Sequence, residues 1–197
     1  MITLDTEQER LLQAATVLFE RFGYKKTTVE DIALEAGIGK GTVYLRFPSK
    51  ADLGIAWAQS LQEEMWLKFM RSDLTEPAER LTEFLSVRVM VRYDLFKRFR
   101  RSFEEGLEAL SPRVQIHIAE FQEREAQFAQ SLIKAGIESG TLDSREPLID
   151  SRTMILATNS LIFYRKRPEE VPERDIVDLQ ATTLARFLVR ALRKSNV

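Results

Sequence analysis

Apolar residues recur three and four positions apart along almost the whole chain, the spacing that lines one face of a helix. In the first segment, Thr6 to Phe22, Leu11, Ala15, Leu18 and Phe22 share a face; Thr6 and Glu9 have capping-box spacing, and Gly23 stands where a helix-ending glycine belongs. Val29, Ile32, Ala33 and Ala36 repeat the pattern, with Thr28 as cap and Asp31 three residues in. Gly37 and Gly39 flank Ile38 in a tight turn. A third helix is expected from about Lys40 to Phe47, burying Val43 and Phe47 one turn apart until Pro48 disfavours helical geometry at Phe47. Ser49 and Asp52 then cap a long fourth helix reaching about Met70, with Leu53, Trp57 and Leu61 on one stripe.

Prolines punctuate the rest. Helices are expected over Pro77 to Tyr93, Asp94 to Leu110, Pro112 to Ser139, Pro147 to Tyr164 and Arg174 to Lys194, with Pro77, Pro112 and Pro147 near helix starts, where a missing N–H costs little. No alternating strand pattern survives at length, and the nearest thing to a linker is "RKRPEEVPER". The expected fold is all-α, about nine helices, with a three-helix head over residues 1–48 and a helical bundle over 49–197. In the last helix Ile176, Leu179, Thr183 and Phe187 recur at helical spacing, and Ile155, Thr158 and Ile162 do so in the one before. Together they predict a four-helix interface across a two-fold axis.

Composition narrows the chemistry. The 197 residues are 44% hydrophobic and 30% charged with a formal net charge of −1, so bulk charge predicts no partner and any attraction to an acidic polymer must be local. The absence of Cys removes disulfides, thiolate nucleophiles and Cys-built zinc sites, and one His removes histidine-rich metal centres. No phosphate loop or nucleotide fingerprint is visible, so neither an enzyme nor a cofactor is expected. No apolar run approaches the roughly 20 residues of a membrane span, and "MITLDTEQER" does not read as a signal peptide; a cytoplasmic location is the expectation.

Charge is nonetheless placed. Residues 37–50 hold Lys40, Arg46 and Lys50 and no acid. With Val43 and Phe47 inward, Thr42 and Arg46 fall on the opposite side of the third helix, with Lys40 at its start and Tyr44 and Leu45 on the flanks. A hydroxyl and a guanidinium read base edges, Arg best against guanine, while Lys40, Tyr44 and the helix-start N–H groups suit phosphates. Gly41 lacks a side chain where the helix start must approach a phosphate.

Arg10 to Leu53 closely resembles the N-terminal domain of TetR-family transcriptional regulators, through the pattern "AA..LF...GY..TT...IA..AG...GT.Y..F..K..L". The resemblance implies a helix-turn-helix made by Thr28 to Ala36 and Lys40 to Phe47, a helical ligand-binding and dimerisation body, and a homodimer that leaves its operator DNA when a small-molecule effector binds. It also implies that Thr28, Tyr44 and Lys50 touch phosphates and that Lys40, Thr42, Leu45 and Arg46 touch bases or their neighbours. Two departures stand out: Gly39 replaces the usual hydroxyl cap of the reading helix, and Asp5, Glu7 and Glu9 replace the usual basic tail. They favour the alternative reading, a helical dimer that binds a protein partner and has weak or lost DNA binding.

In the body, Trp57, Leu61, Trp66, Phe103, His117, Phe121, Asn159 and Phe163 are the candidate effector contacts, against a background in which aromatic residues at helical spacing are mostly core. Aromatic content with few internal charges predicts an apolar or amphipathic effector. The run Lys97 to Arg101 reads as a solvated face over buried aromatic residues.

Overall fold

The computed structural model describes residues 5–162 and 171–194, apart from the side chains of 105–111. Eight helices lie among these residues: α1 (Thr6–Phe22), α2 (Val29–Ala36), α3 (Lys40–Arg46), α4 (Lys50–Met70), α5 (Pro77–Arg98), α6 (Arg100–Glu138), α7 (Pro147–Asn159) and α8 (Arg174–Ala191). The fold is all-α as expected. They group into two compact units, one of Met1–Glu64 with Leu95–Ile118 and one of Met65–Asp94 with Ala119–Val197, so that α4, α5 and α6 each contribute to both.

In the first unit the apolar stripes expected from the sequence meet, except that Phe22 of the α1 stripe is 41% exposed and Phe19 is buried in its place. Leu11, Ala15 and Phe19 of α1, Ile32 and Ala36 of α2 and Val43 of α3 are buried, with Phe47 closing the stack beyond α3. The α1 cap sits one residue earlier than Thr6 and Glu9 predict: the Asp5 carboxylate accepts from Gln8 N at 2.8 Å, and the Gln8 side chain accepts from Asp5 N at 3.1 Å. Asp5 offers the stronger anion to the positive helix end, which leaves Thr6 as the first helical residue. The α4 stripe of Leu53, Trp57 and Leu61 is buried, and Trp57 stacks edge-on between Phe19 at 4.9 Å and Phe99 at 5.2 Å.

Between Pro77 and Ser139 the three expected helices are two. Asp94 starts no helix, because Leu95 and Phe96 continue the buried stripe of Val89, Met90 and Tyr93, and the junction falls at Phe99. Pro112 lies inside α6. It removes one backbone donor, yet the helix continues across it, with Ser102 buried before it and Val114 after it. The run Lys97 to Arg101 lies as expected, its basic residues outward and Phe96 and Phe99 buried. Toward the C-terminus α7 ends at Asn159, short of the predicted Tyr164, in a tightened turn where Ser160 N donates to Ala157 O at 3.2 Å and Leu161 N to Thr158 O at 3.2 Å. Phe163 and Tyr164 lie outside the described residues.

The second unit contradicts the expectation of few internal charges. Arg80, Arg88, Arg92 and Glu125 are all buried. Glu125 receives Arg88 Nε at 3.1 Å and Nη2 at 2.9 Å on its two oxygens, and Arg92 Nη2 lies 2.6 Å from Oε1. Arg88 also donates to the Thr158 hydroxyl and, at 2.8 Å, to Asn159 Oδ1, tying α5 to the end of α7. Rings of Trp66, Phe69, Phe84, Phe121 and Phe128 pack beside this network, and the Arg92 guanidinium lies 5.5 Å from the Phe121 ring centre.

The interface expectation is corrected on one helix. On α8 Ile176, Leu179, Thr183 and Phe187 do point outward, Leu179 and Phe187 each 70% exposed. On α7, however, Ile155 and Thr158 are buried. Ile149 and Leu156 are the large apolar residues that face out, because the inward stripe of Ser151, Met154, Ile155 and Thr158 is claimed by packing and by Arg88.

Candidate nucleic-acid interface

Two short helices carry the site, and local chemistry fixes their angle. Thr27 is buried and its hydroxyl donates to Gly23 O at 2.9 Å, while Thr28 turns outward and caps α2: its hydroxyl accepts from Asp31 N at 3.1 Å, and Asp31 accepts from Thr28 N at 2.8 Å. The Thr28 hydroxyl donates in turn to the Asp31 carboxylate at 2.7 Å, and that bond, then the one from Thr28 N, hold the Asp31 carboxyl below its usual range. The turn to α3 is made at Gly37, whose φ of +62° lies in the left-handed region that side chains avoid, and Ile38 N then reaches back to Ala33 O at 2.9 Å. Arg10 of α1 donates to Ala36 O and locks the end of α2. Gly39 begins α3 without any side-chain cap bond, leaving the α3 start open.

On α3 the division expected from the sequence is present. Val43 is buried, Thr42 is half-buried, and Lys40, Gly41, Tyr44, Leu45 and Arg46 are exposed, Leu45 at 84%. An exposed leucine beside a hydroxyl and a guanidinium is what thymine methyls and base edges accept. Nothing lies within 4 Å of the position a Cβ would take at Gly41. Lys50, at the α4 start, donates to Lys25 O at 3.3 Å and covers the Tyr24 ring at 4.5 Å. Burial, with Asp52 nearby, raises the Tyr24 pKa.

The cations of α3 are held by acids of α1 and its capping residue and of α2. Arg46 Nε and Nη2 both donate to Glu7 Oε2, at 2.9 and 2.7 Å, and Nη1 lies 3.2 Å from Asp5 Oδ2. Lys40 forms an ion pair with Glu30 of α2. The Glu7 bond, then the Asp5 charge, raise the Arg46 pKa further, and the Glu30 bond does the same for Lys40.

The candidate effector residues fall into two separate neighbourhoods. In the first unit Trp57 is buried against Phe19, Phe99 and Phe103, the last at 6.2 Å, and its indole N–H has no hydrogen-bond partner among the described residues. Leu61 is buried there too, and His117 Nδ1 lies 3.0 Å from the Gln59 amide. In the second unit Trp66 is half-buried between Phe121 and Phe128 with the Arg124 guanidinium 4.0 Å from its ring centre, and Asn159 is bound by Arg88. Among the described residues no cluster of His, Asp or Glu is arranged to hold a metal, and no helix is long and apolar enough to cross a membrane.

A capped helix, a left-handed glycine turn and a second short helix with an outward polar row define a helix-turn-helix DNA-binding protein with a helical body. Residues 11–56 match the family model described as bacterial regulatory proteins, tetR family. The chain is 30% identical over 185 residues to an uncharacterised HTH-type transcriptional regulator of Bacillus subtilis, YhgD, an alignment that covers 92% of this chain and 94% of YhgD. It therefore belongs to the TetR family of transcriptional regulators, a non-enzymatic class. The same fold appears in a transcriptional regulator from Cytophaga hutchinsonii, with a TM-score of 0.79 at 18% identity over 96% of this chain and all of the other. It appears again in a TetR/AcrR-family regulator from Thermobifida fusca, with a TM-score of 0.71 at 24% identity over 96% and 100%.

Proposed function

We propose that the protein is a homodimeric repressor that binds a near-palindromic operator through two copies of α3 and leaves it when a small-molecule effector binds. The outward row of α3 carries this reading: Arg46 and Thr42 read base edges, Leu45 meets a thymine methyl, and Thr28, Tyr44 and Lys50 hold phosphates, with Lys40 beside the first bases. Residues 1–48 are the reading head, and 49–197 carry dimerisation and effector binding. The partner in the dimer is a second copy, seated on the outward apolar residues of α7 and α8, since Leu156, Leu179 and Phe187 are each at least 70% exposed and belong to neighbouring helices.

Effector and operator are linked through α4, which begins at Lys50 and continues past Trp66. A coupling of about 1 to 3 kcal/mol along such an element changes operator affinity by roughly 5- to 150-fold. The alternative, a dimeric protein-interaction module that has lost DNA binding, draws on the carboxylates that hold Arg46 and Lys40.

A gel shift with duplexes selected from genomic DNA separates the two. The repressor reading expects Lys50→Ala to weaken every duplex alike and to lower the salt slope by about one, and Arg46→Ala to cost about 5- to 150-fold on the selected site and little elsewhere. Equal losses on all sequences contradict that division of roles, and absence of binding to any duplex contradicts the repressor. Single-tryptophan variants, Trp57→Phe and Trp66→Phe, then report which neighbourhood an effector occupies.

A further inference from the structure

We propose that Asp5, Glu7 and Glu30 are specificity-determining residues, which occupy the two cations of α3 and thereby keep the reading helix off DNA of the wrong sequence. The inference rests on the DNA-facing assignment of α3. All three nitrogens of the Arg46 guanidinium face carboxylate oxygens, Nε and Nη2 the Oε2 of Glu7 and Nη1 the Oδ2 of Asp5. Lys40 is paired with Glu30. Both long cations of the helix are thus taken by acids of α1 and α2.

These acids are positioned by the fold. Asp5 uses Oδ1 to cap α1 at Gln8 N, 2.8 Å away, which aims its other oxygen at Arg46. Glu7 lies in the first turn of the same helix, and Glu30 in the first turn of α2, where its carboxylate also suits the helix end. Arg46 with Asp5 and Glu7 sums to a charge of −1, and Lys40 with Glu30 to zero, so the α3 surface attracts phosphates far less than its own residues suggest.

The consequence follows from what each kind of DNA offers. Exposed ion pairs are weak and exchange readily, so a guanine edge with two acceptors in register with Arg46 displaces Glu7. Random DNA presents such an edge in register only by chance. At most registers it meets a guanidinium already engaged and two carboxylates that repel its phosphates, and there it is held by other contacts alone. Non-specific affinity is suppressed, and discrimination sharpened, by residues that need not touch the DNA.

The test is a salt titration of binding to a random-sequence duplex. Asp5→Asn with Glu7→Gln keeps the α1 cap, since asparagine caps as well as aspartate, and frees Arg46. Each cation released to a phosphate steepens the plot of log K against log salt by about one, which near 0.1 M salt is an affinity gain of about 5- to 10-fold. Glu30→Gln is expected to add a like increment through Lys40. Glu9→Gln makes the same change in charge at an exposed α1 residue away from Arg46 and is expected to do much less. In an Arg46→Ala background the Asp5 and Glu7 substitutions should lose most of their effect.

Wild type that binds random DNA while the double variant shows an unchanged slope, or binds more weakly, overturns the inference and leaves the DNA-binding reading standing. So does an equal gain from Glu9→Gln, or an undiminished gain without Arg46. If neither wild type nor any variant binds duplex at low salt, both fall. A wild type that binds only a selected site, beside a double variant that binds all duplexes, supports the proposal.

Discussion

Glu125→Gln is the most demanding test of how the second unit is held together. The side chain is fully buried and receives Arg88 and Arg92, themselves buried, within 3.1 Å. Burial pushes the Glu125 pKa upward, but Arg92 and Arg88 outweigh it and hold the carboxyl below its usual range. The amide keeps the shape and removes the charge, leaving two buried guanidiniums facing each other across a neutral group. Removing one partner of a buried ion pair costs about 3 to 5 kcal/mol. For a chain of this size that is a fall in Tm of about 6 to 20 °C.

The pH dependence has a fixed sign. A folded pKa below the unfolded value of about 4.3 gives stability that is complete above that value and is lost as pH falls through the folded pKa. Urea denaturation followed by circular dichroism, at fixed protein concentration, should therefore show a wild-type midpoint that drops below about pH 4 and a variant that starts lower and loses less over the same range. A loss of unfolding free energy under about 1 kcal/mol, or an unchanged acid limb, would refute the reasoning. Recovery on replacing all three residues by apolar ones of similar volume would support it further, because the unpaired charges are what cost the energy.

Gly136→Ala puts a Cβ 2.5 Å from Leu142 Cδ1, and Leu142 is buried, so a loss of about 1 to 3 kcal/mol in thermal unfolding is expected where helix propensity alone predicts a gain. Gly41→Ala meets nothing within 4 Å and should stabilise the free protein by about 0.5 to 1 kcal/mol, while weakening binding to every duplex if the start of α3 approaches a phosphate; unchanged binding would remove that role. Leu179→Glu with Phe187→Glu places charges on the outward face of α8 and should halve the mass in sedimentation equilibrium without loss of helix signal; a dimer that persists would place the interface elsewhere.

What could be read from the sequence was local. Thr28 with Asp31, Gly37 and the burial of Val43 depend on residues within a turn of one another, and each lies as its neighbours dictate. The cap at Asp5 was missed by one residue because "DTEQE" offers two boxes, and the Asp5 carboxylate serves the helix end better than the Thr6 hydroxyl. Contacts distant in sequence left no signal. Arg88 and Arg92, four apart on α5, look like an ordinary solvated charge row until Glu125 and Thr158 arrive from other helices. Arg46 reads as a base-contacting cation in either case, and its engagement by Glu7, 39 residues earlier, is visible only in three dimensions. The α7 half of the interface went wrong for the same reason: Ile155 and Thr158 fit an apolar stripe, and the stripe faces inward.

Footprinting the protein on a duplex selected from genomic DNA shows whether a dimer reads DNA with two copies of α3. Two related half-sites should be protected symmetrically, their centres about one helical turn apart, ~34 Å, or farther if the DNA is unwound or two dimers bind. Protection of a single asymmetric half-site, or of all sequences alike, would contradict it.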